Sequence, residues 1–80
     1  MSNELREEKA NRLLNDELFN EALDTLEKNL RDTWYNTSVG DHEAREQCWL
    51  SLRLLERIRL HLTSIIETGE MAKKLQEYPL

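Results

Sequence analysis

An 80-residue chain with one cysteine forms a single small domain without an internal disulfide, and its net charge of −5 gives it no basic face for non-specific nucleic-acid binding. No apolar run approaches the roughly 18 residues of a membrane span, and the charged N-terminus lacks a signal-peptide core, so we expect a soluble, cytosolic protein. A chain of this length buries only about 60% of its unfolded surface. Without a disulfide or a close set of metal ligands, it needs association with another subunit for stability.

The first predicted element is a short N-terminal helix over residues 1–14, capped by Ser2 or Asn3. Its apolar residues are few, so we expect its start to fray. Asn15 can end this helix and cap the next one, with Asp16 in the new first turn. The sequence leaves open whether the two helices are continuous.

The second predicted element is the first hairpin helix, over residues 16–37. Its apolar residues recur at steps of three and four, which is typical of a helix packed on one side. This face consists of Phe19, Ala22, Leu23, Leu26, Leu30, Thr33 or Trp34, and Thr37. The pairs Asp24–Lys28 and Glu27–Arg31 have the spacing that braces the solvent side of a helix.

A short connection follows the second helix. Gly40 suits the left-handed conformation that often ends a helix, and Asp41 is a good N-cap for the next one. Short connections join antiparallel helices. The predicted fold is therefore all-α, an antiparallel helical hairpin with a short helix on each flank.

The second hairpin helix is predicted over residues 41–68, because no Gly or Pro occurs between Asp41 and Gly69. Gly69 is placed to end it. An apolar stripe with helical spacing runs along it. This stripe consists of Ala44, Cys48, Leu52, Leu55, Ile58 or Arg59, Leu62, and Ile65 or Ile66. A short C-terminal helix over residues 70–78 follows, and Pro79 ends it.

The long helix also carries large apolar residues off that stripe, including Trp49. A helix that is apolar on more than one side is usually buried on more than one side, and one partner helix cannot cover both. We therefore predict a homo-oligomeric helical bundle. The expected oligomer interface consists of Leu50, Leu54, Leu60, Met71 and Leu75.

The sequence carries no signature of catalysis, a cofactor or a metal. The segment 42–46 resembles the HExxH motif of zinc proteases, but it ends in Glu, and charges at a helix start explain it better. His61 has no acidic residue one turn away to orient it as a base, so we interpret it as a boundary residue. Cys48 lies on the apolar stripe and is interpreted as a core residue rather than a nucleophile. We expect a protein that is not an enzyme.

Aromatic and basic residues flank the short connection. When the chain folds back at Gly40, Trp34 and Trp49 reach similar heights. Indole faces stack on bases and guanidinium groups suit phosphates, so this region is a candidate site for an anionic, nucleotide-like ligand. The candidate ligand-binding residues are Trp34, Tyr35, Arg45, Trp49, Arg53 and Arg57. The alternative is that the tryptophans only anchor helix packing while Arg53–Glu56 and Glu56–Arg59 pair along the helix.

Between Leu13 and Leu75 the sequence resembles a family of small phage-encoded, all-helical proteins of unassigned function. The resemblance rests on Leu13–Asn15, Phe19–Leu23, Trp34, Thr37, Asp41, Arg45–Glu46, Trp49, Leu55–Glu56, Arg59 and Gly69. It implies a compact, helical, phage-encoded protein, and it implies no activity.

A second, weaker resemblance is to the phage helical-hairpin sponges that sequester cyclic-nucleotide signals of bacterial immunity. It rests on Arg45-Glu46, Leu54 and Glu56, which match the spacing of those proteins on the second hairpin helix. The aromatic-rich stretch late in that helix is missing here, so no pocket residue carries over.

These observations predict a non-enzymatic phage binding protein in the host cytoplasm. It would sequester a small anionic host signal or block a host defence protein. The expected partners are copies of itself and that ligand or host protein, with no membrane, and the acidic charge disfavours nucleic acid. The alternative is a structural or assembly role in the virion, since bundles with two apolar faces also make good connectors.

Overall fold

The computed structural model describes residues 3–77, and it describes side chains from Leu5 onward. This range forms three helices, α1 (Asn3–Leu14), α2 (Glu17–Tyr35) and α3 (His42–Glu77), and contains no strand. The predicted all-α class is therefore confirmed. The predictions for Ser2 and Pro79 lie outside the described residues.

A break at residues 15 and 16 separates α1 from α2. Asp16 is the N-cap of α2: its backbone is extended, and its carboxylate accepts from the Phe19 amide at 2.8 Å. Asn15 instead closes α1, since its side-chain amide donates to the Asn11 carbonyl at 2.8 Å. The prediction that Asn15 caps the second helix is wrong. The cap is Asp16, which has the extended backbone that an N-cap requires.

α2, which corresponds to the second predicted element, ends at Tyr35, two residues earlier than predicted. The Asn36 amide donates to the Asp32 carbonyl at 3.1 Å, and the Thr37 hydroxyl donates to the Trp34 carbonyl at 2.6 Å. These two hydrogen bonds satisfy carbonyls of the last turn that have no partner further along the helix. Thr37 therefore closes α2 from outside it.

Gly40 does not adopt the left-handed conformation predicted for it, since no glycine of the described chain has positive φ. It lies within a turn in which the Asp41 amide donates to the Ser38 carbonyl at 3.0 Å. Asp41 does cap α3, as predicted: its carboxylate accepts from the Ala44 amide at 3.2 Å.

Gly69 does not end the long helix. α3 continues through it to Glu77, so the predicted boundary at residue 68 and the separate helix over residues 70–78 are wrong. A Cβ at Gly69 would lie 2.7 Å from the Cβ of Glu7 and 2.6 Å from its Oε2. Glycine is needed here because α1 approaches α3 closely, and not because the chain must turn.

The helices pack along α3 in a definite order. Glu7 of α1 lies at Gly69 and near Lys73, whose Nζ is 3.1 Å from Glu7 Oε2. In α2, Asp24 contacts Arg59 of α3, while Trp34 lies against Arg45, nearer the start of α3. The molecule measures 61 × 26 × 17 Å, which fits a single layer of helices.

The predicted apolar stripe of α3 is confirmed, because its members are buried or half-buried. At the position left open between Ile58 and Arg59, Arg59 is the inward residue and Ile58 is 39% exposed. The core is nevertheless thin. Within the described range, the buried hydrophobic residues are Ala10, Leu23 and Cys48.

Candidate functional site

The two tryptophans meet near the connection between α2 and α3. Trp34 is in the last turn of α2, and Trp49 is in the second turn of α3. Together with Arg31 and Leu52 they line a small apolar recess of about 160 Å³, which we call the tryptophan recess. Both rings stay accessible from solvent, since Trp34 is 42% and Trp49 58% exposed.

Arg45 lies beside Trp34, near the connection between α2 and α3. Its guanidinium carbon lies 4.3 Å from the centroid of the Trp34 ring, within the range of a cation–π contact. Its Nη1 donates to the Thr37 hydroxyl at 3.0 Å. Arg45 is half-buried, so a fixed cation lies beside an accessible indole face.

Arg53 lies on the other side of Trp49, with its guanidinium carbon 5.9 Å from the ring centroid. It also donates to Glu56 at 2.9 Å, as the sequence predicted for this pair. Both side chains are more than half exposed, so the pair contributes little stability. An anionic ligand could exchange for Glu56 at small cost.

Of the predicted ligand-binding residues, the two tryptophans line the recess, and the two arginines described above lie near their rings without lining it. The remaining two lie elsewhere. Tyr35 is 80% exposed and follows Trp34 at a different angle around α2. Arg57 lines a separate groove that also contains Leu13 and Phe19. Sequence reasoning did not assign Arg31 to the site, although its position one turn before Trp34 places it on the same flank of α2.

A second, open groove of about 430 Å³ adjoins the recess and shares Arg31, Trp49 and Leu52 with it. Charged residues of both signs line this groove. They are Glu27, Arg31, Arg53, Glu56 and Arg59. Arg59 already forms salt bridges with Asp24, at 2.7 Å, and with Glu27, at 3.1 Å. The cations able to face a ligand are therefore Arg31, Arg45 and Arg53.

The residues considered for catalysis occupy other places. Cys48 is buried in the core, as predicted, and His42 and His61 are exposed. Within residues 3–77, no three His, Cys, Asp or Glu side chains are grouped closely enough to hold a metal ion. The residues around the tryptophans provide indole faces that can stack on a ligand and guanidinium groups that can pair with an anion.

The predicted interface residues are all exposed in the single chain. Their exposed fractions are 52% for Leu50, 58% for Leu54, 59% for Leu60, 65% for Met71 and 73% for Leu75. They do not all lie on one side of the layer. Leu60 borders the groove at Trp49 and also the outer edge of the groove at Leu54.

No protein-family profile matches this chain, and neither a curated protein nor a solved structure is significantly similar to it. Among the described helices, none combines the length and the hydropathy needed to cross a membrane.

Proposed function

We propose that this chain is a non-enzymatic binding protein that works as a homo-oligomer and holds a small anionic ligand at the tryptophan recess. The observation that carries the proposal is the meeting of Trp34 and Trp49 at one recess, with Arg45 stacked on the first ring. In this proposal α2 and α3 form an antiparallel hairpin, and hairpins from different copies form a helical bundle.

The ligand class follows from the chemistry of the recess. An indole face stacks on any nucleobase, and each stacked base contributes about 1–3 kcal/mol of binding. A guanidinium group offers a planar set of donors that matches two phosphate oxygens. Arg45 and Arg53 flank the two rings, so a base between the rings would bring its phosphates toward a cation.

The biological setting that we propose is a phage-infected cell. A signal nucleotide of the host defence would be bound in the host cytoplasm and withheld from its receptor. Blocking a host defence protein is the other form of the same role. In that case the exposed Trp49 and Leu60 would contact the host protein directly, since exposed aromatic and apolar residues are common centres of protein interfaces.

Titration calorimetry with cyclic dinucleotides and related signal nucleotides tests the ligand proposal. We expect micromolar binding to the wild-type protein and at least about tenfold weaker binding to Trp49→Ala, because that substitution removes one stacking face. Tyr35→Ala is the matched control, since Tyr35 is exposed and does not line the recess. If a folded, oligomeric protein gives no heat with any nucleotide, the proposal of a nucleotide ligand is rejected. The proposal that the protein blocks a host protein then remains.

A structural role in the virion is the second candidate. It is favoured by one observation: Met71 and Leu75, in the last turns of α3, are exposed along with apolar residues elsewhere on the molecule. A subunit with several apolar contacts can join assemblies larger than a dimer. Mass spectrometry of purified particles distinguishes the two, because a virion component is found in many copies per particle.

A further inference from the structure

The two broad sides of the helix layer differ in chemistry. Consecutive residues of a helix are rotated by about 100°, so Leu26 and Leu30 of α2 face one side while Glu27 and Arg31 face the other. In α3, Leu54 and Ile58 lie about 40° apart, and Leu60 lies about 120° from Leu54, on the flank of Trp49. We call the side with Leu54 the apolar side and the side with Trp49 the charged side.

The apolar side is one continuous surface. It contains two open grooves, of about 320 Å³ and 820 Å³, and Leu54 lines both. The large side chains that line these grooves are Leu13, Phe19, Leu26, Leu30, Leu54, Leu55, Ile58, Leu60 and Leu62, of which Leu60 also lines the groove on the charged side. Among the residues lining these two grooves, Arg57 carries the only full charge, whereas five charged residues line the groove on the other side. Depletion of charge is the mark of an interface core.

The apolar side chains on this surface remain in contact with water in the single chain. Leu26 is 49%, Leu54 58% and Leu13 44% exposed. The total accessible surface is 6621 Å². A folded monomer of 9.5 kDa has about 5,000 Å², so this chain has an excess of about 1,600 Å². A stable protein–protein interface buries about 800 Å² on each partner, so the excess is large enough for one.

We propose that the apolar side is the self-association face: two copies pack through it, apolar side to apolar side, with Leu54 near the two-fold axis. The proposal rests on the oligomer proposed above and specifies its geometry. A second copy is the occupant that the surface favours, since a two-fold dimer requires one self-complementary patch, and a patch lined by a single charged residue, Arg57, meets itself with little repulsion. Two layers stacked in this way form the packing of a helical bundle.

This geometry has a consequence for the ligand site. Both charged sides of the dimer face outward, so each copy presents Trp34, Trp49 and Arg45 to solvent. Each tryptophan recess is then complete within one chain. Leu60 lies at the edge between the two sides, since it lines a groove on each of them.

Sedimentation equilibrium of two aspartate variants tests the assignment. Leu54 lines both grooves of the apolar side and Trp49 lines neither, yet the two residues are equally exposed, at 58%. We expect Leu54→Asp to raise the dimer dissociation constant at least about 100-fold, because two carboxylates would face each other in an apolar interface. Trp49→Asp should keep the wild-type constant within about threefold.

Leu26→Asp introduces the same negative charge on the apolar side of α2. If circular dichroism shows that Leu54→Asp has unfolded, Leu26→Asp tests the assignment in its place. Dissociation of Leu54→Asp and Leu26→Asp, with Trp49→Asp still dimeric, is the expected result. If all three variants keep the wild-type mass, or all three dissociate equally, the assignment to the apolar side is overturned while the oligomer itself stands. A wild-type protein that is monomeric throughout would remove the oligomer as well.

Discussion

The two contacts that hold α3 are built differently. Between α1 and α3, small residues allow a close approach: Ala10 of α1 is 2% exposed, and Gly69 of α3 leaves no room for a Cβ beside Glu7. Between α2 and α3, long side chains span the gap, and Arg59 bridges to Asp24 and Glu27. The first contact depends on shape as well as on the ion pair of Glu7 with Lys73, whereas the second depends on charge and on polar hydrogen bonds.

The difference indicates where each contact is vulnerable. A close contact between helix backbones fails when one methyl group is added, since packed interiors have little spare volume. A contact bridged by long side chains tolerates added volume but depends on the pairing of its charges, especially where they are partly withdrawn from water. Substitutions matched for residue type can separate these two dependences.

The largest effect is expected at the close contact. Gly69→Ala should destabilise the protein by about 2 kcal/mol, since overpacking this close costs about 3 kcal/mol and the better helix propensity of alanine returns up to about 1 kcal/mol. Gly40→Ala is the control, because a Cβ there meets nothing within 4 Å and the backbone is not left-handed. Urea unfolding at one fixed protein concentration measures both. Equal stability of the two variants would show that α1 does not depend on the glycine.

The next effect is expected at the bridged contact. Arg59→Met keeps the apolar stem but leaves Glu27, whose side chain is 17% exposed, with only a 3.9 Å contact to Arg31. We expect a loss of about 1–2 kcal/mol, because a partly buried carboxylate loses its charged partner. Arg53→Met removes an exposed pair and should cost less than about 0.5 kcal/mol. If the two substitutions cost the same in urea unfolding, the bridge across the helices adds nothing beyond a surface ion pair.

The smallest effect is expected at the break between α1 and α2, which separates the two contacts along the chain. Asp16→Ala removes the cap of α2 and should cost about 1 kcal/mol or less. The loss should appear locally as faster hydrogen exchange of the Phe19 amide, which donates to the Asp16 carboxylate. Asp41→Ala, at the start of α3, is the comparison, and its effect should be felt at the Ala44 amide instead. Unchanged exchange at Phe19 would contradict the assignment of Asp16 as the cap.

The helices and the inward face of α3 could be predicted from the sequence because periodicity reports them directly. The predicted face of α2 was only partly right, since Leu23 is buried but Leu26 is exposed, and Glu27, expected on the solvent side, is half-buried. The apolar stripe of α3, including Cys48, is an arithmetic consequence of steps of three and four residues. The cap at Asp41 is equally local, because the carboxylate and the amide that it accepts from are three residues apart.

The errors have a common physical cause. Gly69 looks the same in a sequence whether it ends a helix or makes room for a neighbour, and only the approach of Glu7 distinguishes the two. Asp24 was expected to pair with Lys28 along its own helix, yet the described structure pairs it with Arg59 across the layer. The spacing of residues along one helix cannot predict a contact between residues that are 35 positions apart in the sequence.

The candidate site was predictable in part for the same reason. The approach of Trp34 to Trp49 follows from folding the chain back at the connection, which needs only a count of residues. The places of Arg57 and Leu60 depend on which flank of α3 is covered by α2, and that is set by packing. The sequence therefore identified the cluster but could not separate its two sides.

Solution X-ray scattering of the wild-type protein distinguishes a dimer packed through the apolar side from a monomer and from other dimers. A single chain has a mass of 9.5 kDa and a longest dimension of 61 Å. We expect a particle with twice that mass and twice the thinnest dimension, because two layers stacked through the apolar side leave the longest dimension near 61 Å. A particle of 9.5 kDa at every concentration, or a particle of doubled mass and doubled length, would rule out this packing.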